Sequence, residues 1–190
     1  MRCLSIPCAT VCAALLAGAC SSDPQPALLD AGTAADATAA VNCLIPGDYS
    51  ALGSKAGTAD TTIANSLAIT VDAGPPRDSL LVRLTAGKGV FADGTLKTGE
   101  FSITGADASL ATCGLCVSIS ADIVTGQGPT KFYFATSGKV TLTTVTPTAA
   151  PTKSTIIGSA TNLVFSEIDA SGAPVSSSCG AKIASIDFHP

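Results

Sequence analysis

Val117-Ser118-Ile119-Ser120-Ala121-Asp122-Ile123 is the stretch whose reading decides the fold. Apolar residues stand at every odd position and polar ones at every even position. This period of two puts Val117, Ile119, Ala121 and Ile123 on one face of an extended strand and Ser118, Ser120 and Asp122 on the other. One face is predicted to be buried and the other wet. Moving toward the amino terminus, Leu80, Val82 and Leu84 alternate with Leu81 and Arg83 after a Gly74-Pro75-Pro76 break, and Leu67, Ile69 and Val71 alternate with Ala68 and Thr70. Phe101 and Ile103 follow Asp93-Gly94 and Thr98-Gly99 turns. Toward the carboxyl terminus, Phe132 and Phe134, then Val140 and Leu142, read as a hairpin turning at Ser137-Gly138. Beyond the loop from Pro147 to Pro151 come Ile156-Ile157, then Leu163-Val164-Phe165, and a last strand carrying Ala184, Ile186 and Phe188.

No stretch of this region carries a 3.6-residue apolar period, and its only helical signal is a turn near Asp107 to Leu110. The pattern predicts an all-β domain over residues 43–190, an antiparallel β-sandwich of about eight or nine strands. Irregular loop lengths favour the sandwich over a uniform closed barrel.

The residues ahead of the domain read differently. Met1-Arg2 is followed by an uncharged run from Cys3 to Ala19 that contains Pro7, then by small residues, Ala17-Gly18-Ala19, before Cys20. The run is short and imperfect for a spanning helix, which needs about 20 cleaner apolar residues, and it fits a cleaved export signal over residues 1–19. Ala17-Gly18-Ala19-Cys20 resembles a bacterial lipobox, with Ala17 where Leu is usual. That resemblance implies cleavage before Cys20, diacylation of its thiol and acylation of the new amino terminus. Cys8 comes too early and Cys12 follows the bulky Val11, so neither matches as well. The competing reading is an ordinary secreted protein cut near Ala19. Ser21 after the lipid cysteine implies sorting to the outer membrane. Residues 20–42, with Pro24, Pro26 and an Asp30-Ala31-Gly32 break, carry no cation and no aromatic residue, and are predicted to be a disordered tether.

A chain of 190 residues less this segment suits one domain. Ten cations face 14 acidic residues, and the cations are scattered singly. That excludes the clustered Lys and Arg with which a protein displaces counterions from nucleic acid. Trp is absent and Tyr occurs twice, so an aromatic platform for sugars has little to build on.

Beyond Cys20 the domain holds Cys43, Cys113, Cys116 and Cys179, and an exported chain places them where disulfides persist. Four cysteines allow three pairings, which sequence does not choose among; the favoured one joins Cys113 to Cys116 and Cys43 to Cys179. The second bridge would close a loop of more than a hundred residues and act as a clasp. Cys113-Gly114-Leu115-Cys116 also matches the spacing of thiol oxidoreductases. Those centres sit at a helix amino terminus that lowers the thiol pKa, whereas Cys116 opens a strand and no cation is near in sequence. A zinc site has only one ligand pair of suitable spacing, and the oxidising compartment opposes it.

The remaining chemistry is sparse. His189 stands one residue from the end and reads as a terminal surface residue. Ala86-Gly87-Lys88-Gly89 lacks Walker spacing and reads as a turn. Glu100, Asp122, Glu167 and Asp169 lie near predicted strands, where a facing pair would suit glycoside hydrolysis, but wet strand faces carry such residues routinely. Asp72, Asp78, Asp93 and Asp107 are expected in loops, without the Asp-x-Asp-x-Asp-Gly order of a calcium loop. The sequence therefore predicts no catalytic residue, no metal and no cofactor.

Three stretches carry a resemblance: Gly99 to Asp122 with its Cys113-Gly-Leu-Cys116, Lys131 to Leu142, and Ser159 to Glu167. Together they resemble a group of predicted lipoproteins encoded by myxobacteria and their relatives. The resemblance implies a lipoprotein with a β domain and transfers no catalytic residue. The leading expectation is a non-enzymatic outer-membrane lipoprotein, held to the membrane by its lipid, whose β domain binds an unidentified envelope protein or glycan and no nucleic acid. The alternatives are an envelope thiol-disulfide oxidoreductase using Cys113 and Cys116, and a weak carboxylate-dependent hydrolase.

Overall fold

The computed structural model describes residues 49–59, 62–72, 77–146, 154–175 and 180–190. The export signal, Cys20, the tether, Cys43 and Cys179 lie outside the described residues. The described part is all-β. Its strands are β1 (Ala51–Ala59), β2 (Ser66–Asp72), β3 (Arg77–Leu84), β4 (Gly99–Ser102), β5 (Leu115–Ile123), β6 (Lys131–Thr146), β7 (Thr155–Ile168) and β8 (Gly180–His189). Two 3-10 turns, Gly89–Phe91 and Gly105–Ala108, flank β4 in the excursion between β3 and β5. The second takes the place of the turn expected near Asp107 to Leu110.

Strand order corrects the sandwich. The ladder runs β1-β2-β3-β5-β6-β7-β8 and returns through β8 to β1, a closed ring of seven strands with β4 as one extra strand. A meander reverses direction at each step, so in an odd ring the first and last strands point the same way. β1 and β8 accordingly pair in parallel, while every other pair is antiparallel. The longest of the irregular connections that favoured a sandwich is the excursion between β3 and β5.

Closure depends on two long bent strands. β6 has 16 residues and β7 has 14, roughly 50 Å of chain at about 3.3 Å per residue, too long to lie flat in a domain of this size. One edge of β6 pairs with β5 through Phe132, Tyr133 and Phe134 and with β4 through Lys139 to Leu142, while its other edge follows β7 throughout. The β6–β7 register shifts between Ala135 and Ser137 and again between Ser137 and Lys139. An unpaired residue at a bulge moves all later side chains to the opposite face. The buried positions of β6 therefore pass from Tyr133 and Ala135 to Val140 and Leu142. β7 switches from Ile156 and Ala160 to Leu163 and Phe165 around Asn162, whose φ is 52°, and β8 from Ala181 and Ile183 to Ile186 and Phe188.

This bend replaces the hairpin expected at Ser137-Gly138, which instead lies inside β6. Gly138, at φ 128°, is needed for close approach: a Cβ there would fall 2.8 Å from Leu163 Cδ2 and 2.9 Å from the Asn162 carbonyl oxygen. The face assignments change with it. Phe132 is 43% exposed, Phe134 packs outside the barrel, and Ala184 is exposed while Ile183 is buried.

The interior is filled by apolar side chains such as Leu67, Ile69, Leu80, Val82, Ile119, Phe165 and Phe188, as in other small barrels. Phe91 and Ile103 from the excursion join this core, and Phe91 meets Phe101 edge to face with ring centroids 5.2 Å apart. β1 has no counterpart in the sequence reading. It contains Gly53 and Gly57, and a Cβ on Gly57 would sit 2.7 Å from Leu67 Cγ, so the strand lies close to β2 without the alternating bulk that reveals a strand.

Candidate functional site

Three places on the barrel gather polar or reactive groups. The first is the corner where the excursion returns to β5. Cys113 and Cys116 are joined there by a disulfide with Cα atoms 5.3 Å apart. They form an outer cluster with Phe134 and the partly buried Ile168, separate from the barrel interior. Register puts Arg83 of β3 directly across from Cys116. Its Nη2 lies 3.8 Å from Cys116 Sγ, and its Nε is buried without a hydrogen-bond partner among the described residues. Sequence reasoning found no cation near this motif because Arg83 is 33 residues away along the chain. The alternation of both strands does put Arg83 and Cys116 on outward faces, but pairing of β3 with β5 across the excursion was needed to join them.

Asp107 fixes the same corner. Its side chain is buried, Oδ1 accepts hydrogen bonds from the Gly114 and Leu115 amides at 2.8 Å each, and Oδ2 accepts one from the Val90 amide at 2.9 Å. Charge-assisted acceptance from three amides pins both halves of the excursion to one carboxylate. A Cβ on Gly89 would collide with that carboxylate, and one on Gly114 with the Lys88 carbonyl, which accounts for glycine at both positions.

The second place is the end of the barrel at which β1, β3 and β6 begin. Asp78 is buried there, with Oδ2 accepting from the Tyr49 hydroxyl at 2.7 Å and Oδ1 from the Asp122 amide at 2.8 Å. Asp122 sits at a bulge with φ 51°, where the β3–β5 register shifts between Arg77 and Ser79. Tyr133 faces inward, pairs across strands with Ile119 and Glu167, and has a fully buried hydroxyl without a partner among the described residues. Burial, then the Glu167, Asp122 and Asp78 carboxylates, push the Tyr133 phenol up to about 12. Burial and then the Asp78 hydrogen bond raise Tyr49 above the usual phenol range. Lys131 Nζ lies 3.6 Å from Glu167 Oε2.

The third place is an open groove of about 290 Å³ where β7 and β8 bend, lined by Asn162, Leu163, Val164, Lys182, Ile183 and Ala184.

The other sequence candidates separate. Glu100 is exposed and bonds Lys139 at 2.8 Å, and Asp169 caps its own loop through Ser171 and Ala173. Hydrogen bonding to the Ser171 hydroxyl, then to the Ala173 amide, holds the Asp169 carboxyl below the usual range. Asp122 and Glu167 both reach the surroundings of Tyr133, and Glu167 is held in the ion pair with Lys131. Of the four aspartates expected in loops, Asp72 and Asp78 lie in strands, Asp107 lies in a 3-10 turn, and Asp93 bonds Lys97 in a loop. The phenols expected to be too few for a stacking platform are spent on the barrel end. His189 is exposed on β8, opposite Ala56, where pairing with β1 extends the strand to the penultimate residue. Among the described residues, no three His, Cys, Asp or Glu side chains are grouped so as to hold a metal ion, and no helix is long and apolar enough to cross a membrane. Comparison with protein-family models, with curated proteins and with solved structures gives no match.

Proposed function

We propose that this chain is a non-enzymatic lipoprotein of the cell envelope, a β-barrel tethered through Cys20 to the outer membrane and serving as a binding or structural module. The observation that carries the reading is Ala17-Gly18-Ala19-Cys20 at the end of an uncharged run, ahead of a long segment without cations. The filled barrel is consistent with it. Side chains occupy the interior, so contacts with an envelope protein or glycan would use the outer faces, the loops or the groove where β7 and β8 bend. Export also suits the Cys113–Cys116 bridge, and within this reading Cys43 and Cys179 form a second bridge that clasps the domain.

The test expresses the chain in an enveloped bacterium and compares it with Cys20→Ser. The parent should partition into detergent phase with the outer-membrane fraction and yield an N-terminal peptide at Cys20 carrying acyl mass. Cys20→Ser should appear without that mass and partition into water. An unmodified parent in the aqueous phase rejects the reading.

A further inference from the structure

The corner around the Cys113–Cys116 bridge contains an electrostatic mismatch that a structural disulfide has no use for. A buried guanidinium nitrogen without an acceptor is costly, and Arg83 Nε is in that position. The atom facing this guanidinium at 3.8 Å, Cys116 Sγ, is in the bridge an uncharged and weak acceptor. Reduction would turn that sulfur into a group whose anion is stabilised by an adjacent cation.

We propose that Cys113–Cys116 is a redox-active pair that exchanges with an external dithiol, and that Arg83 holds Cys116 as the thiolate of the reduced form. In the first step a thiolate of the dithiol attacks Cys113 Sγ. A new S–S bond forms, the Cys113–Cys116 bond breaks, and Cys116 leaves with the electron pair as a thiolate beside Arg83. In the second step the other thiol of the reductant, having lost its proton to solvent, attacks the mixed disulfide, and Cys113 leaves as a thiolate that takes a proton from water. The dithiol is oxidised to a disulfide and the pair gains two electrons; the reverse sequence oxidises the partner. Attack at Cys113 follows from position. Cys116 is fixed on β5 opposite Arg83, whereas Cys113 ends the loop that precedes the strand. The two residues are only 1% and 4% exposed, so exchange proceeds through local opening of residues 109–114. This activity would replace the non-enzymatic part of the reading above; it is separate from the lipid tether and stands whether or not Cys20 is acylated.

The test equilibrates the chain, made with its own N-terminal segment and purified in detergent, in graded ratios of reduced to oxidised dithiothreitol. Alkylation and peptide mapping then read Cys113 and Cys116 apart from the other cysteines. Arg83→Gln should lower the equilibrium constant for reduction at least tenfold, about 30 mV for a two-electron couple, and Arg83→Lys should keep most of the parent value. In the reduced parent, the alkylation rate of Cys116 should rise with a midpoint below about 8.5, the free-thiol value. Equal constants for the parent and a folded Arg83→Gln overturn the proposal. So does reduction seen only where the tyrosine circular dichroism of the fold is lost. If Arg83→Gln does not fold, the parent's pH profile decides, and a Cys116 midpoint at or above the free-thiol value overturns it.

Discussion

Asp107 shows how much of this structure rests on single side chains. One carboxylate satisfies the amides of Val90, Gly114 and Leu115, which come from opposite ends of the excursion. Asp107→Ala leaves those amides without their acceptor and should cost about 3 kcal/mol, read as a fall in the urea midpoint at unchanged slope. Tyr133 is the reverse case. Its buried hydroxyl has no partner among the described residues, so Tyr133→Phe removes an uncompensated polar group and should stabilise the fold by about 1 kcal/mol in the same titration. The phenol also sets an alkaline limit. Its pKa, about 12 in the folded state against about 10 in the unfolded chain, makes the folded form keep its proton longer. Its contribution is complete below pH 10 and is lost as pH rises from there through 12. Tyr133→Phe should flatten that alkaline loss of stability; an unchanged slope would remove the phenol as its source. Little of this was legible in sequence. Asp107 was read as a loop residue because the partners of a carboxylate are set by tertiary contacts, and Arg83 was hidden by its distance from Cys116 along the chain.

Among the elements, legibility follows the bulk of alternating side chains. β2, β3 and β5 read directly, since Leu67-Ile69-Val71, Leu80-Val82-Leu84 and Val117-Ile119-Ala121 keep one parity and are buried as that parity demands. β6, β7 and β8 were found but misread where they bend, because an alternation that changes parity in mid-strand looks like two strands joined by a turn. In β6 the sequence hides the switch: Phe132 and Phe134 share even numbers with Val140 and Leu142, yet only the latter two enter the barrel interior. β1 stayed invisible because its glycines and alanines carry no period. The bend predicts a specific sensitivity. Gly138→Ala adds a methyl against Leu163 and the Asn162 carbonyl at a φ that suits glycine. It should destabilise by about 2 kcal/mol in urea unfolding, whereas the same change at Gly94, a positive-φ turn in open space, should cost about 1 kcal/mol. Equal costs at the two sites would mean that the close approach across β6 and β7 does not constrain the bend.

For the molecule as a whole, the all-β class was legible from the period of two and the absence of a helical one, but closure was not. Whether a row of strands ends in two edges or in a ring depends on how sharply the strands bend, and the bulges that bend them are single residues. Closure leaves β7 and β1 covered by β8. Removing Gly180–His189 would expose both edges, and the shortened chain should aggregate on refolding where the parent stays monodisperse in light scattering.

The parallel meeting of β1 with β8 gives the ring a polarity. Because both strands run the same way, the start of β1 and the end of β8 lie at opposite rims, unlike the termini of an even meander, which share one. A circular permutant joining them must run back along β8 from His189 to Ser185, the partner of Ala51, roughly 15 Å at about 3.3 Å per residue, so a linker of about five extended residues is the shortest that can close it. Permutants opened between β2 and β3 should therefore fold with a linker of ten residues and fail with one of two, read by the recovery of tyrosine circular dichroism. The same polarity means that a label on the end of β8 reports on the rim opposite to the one where β1 begins.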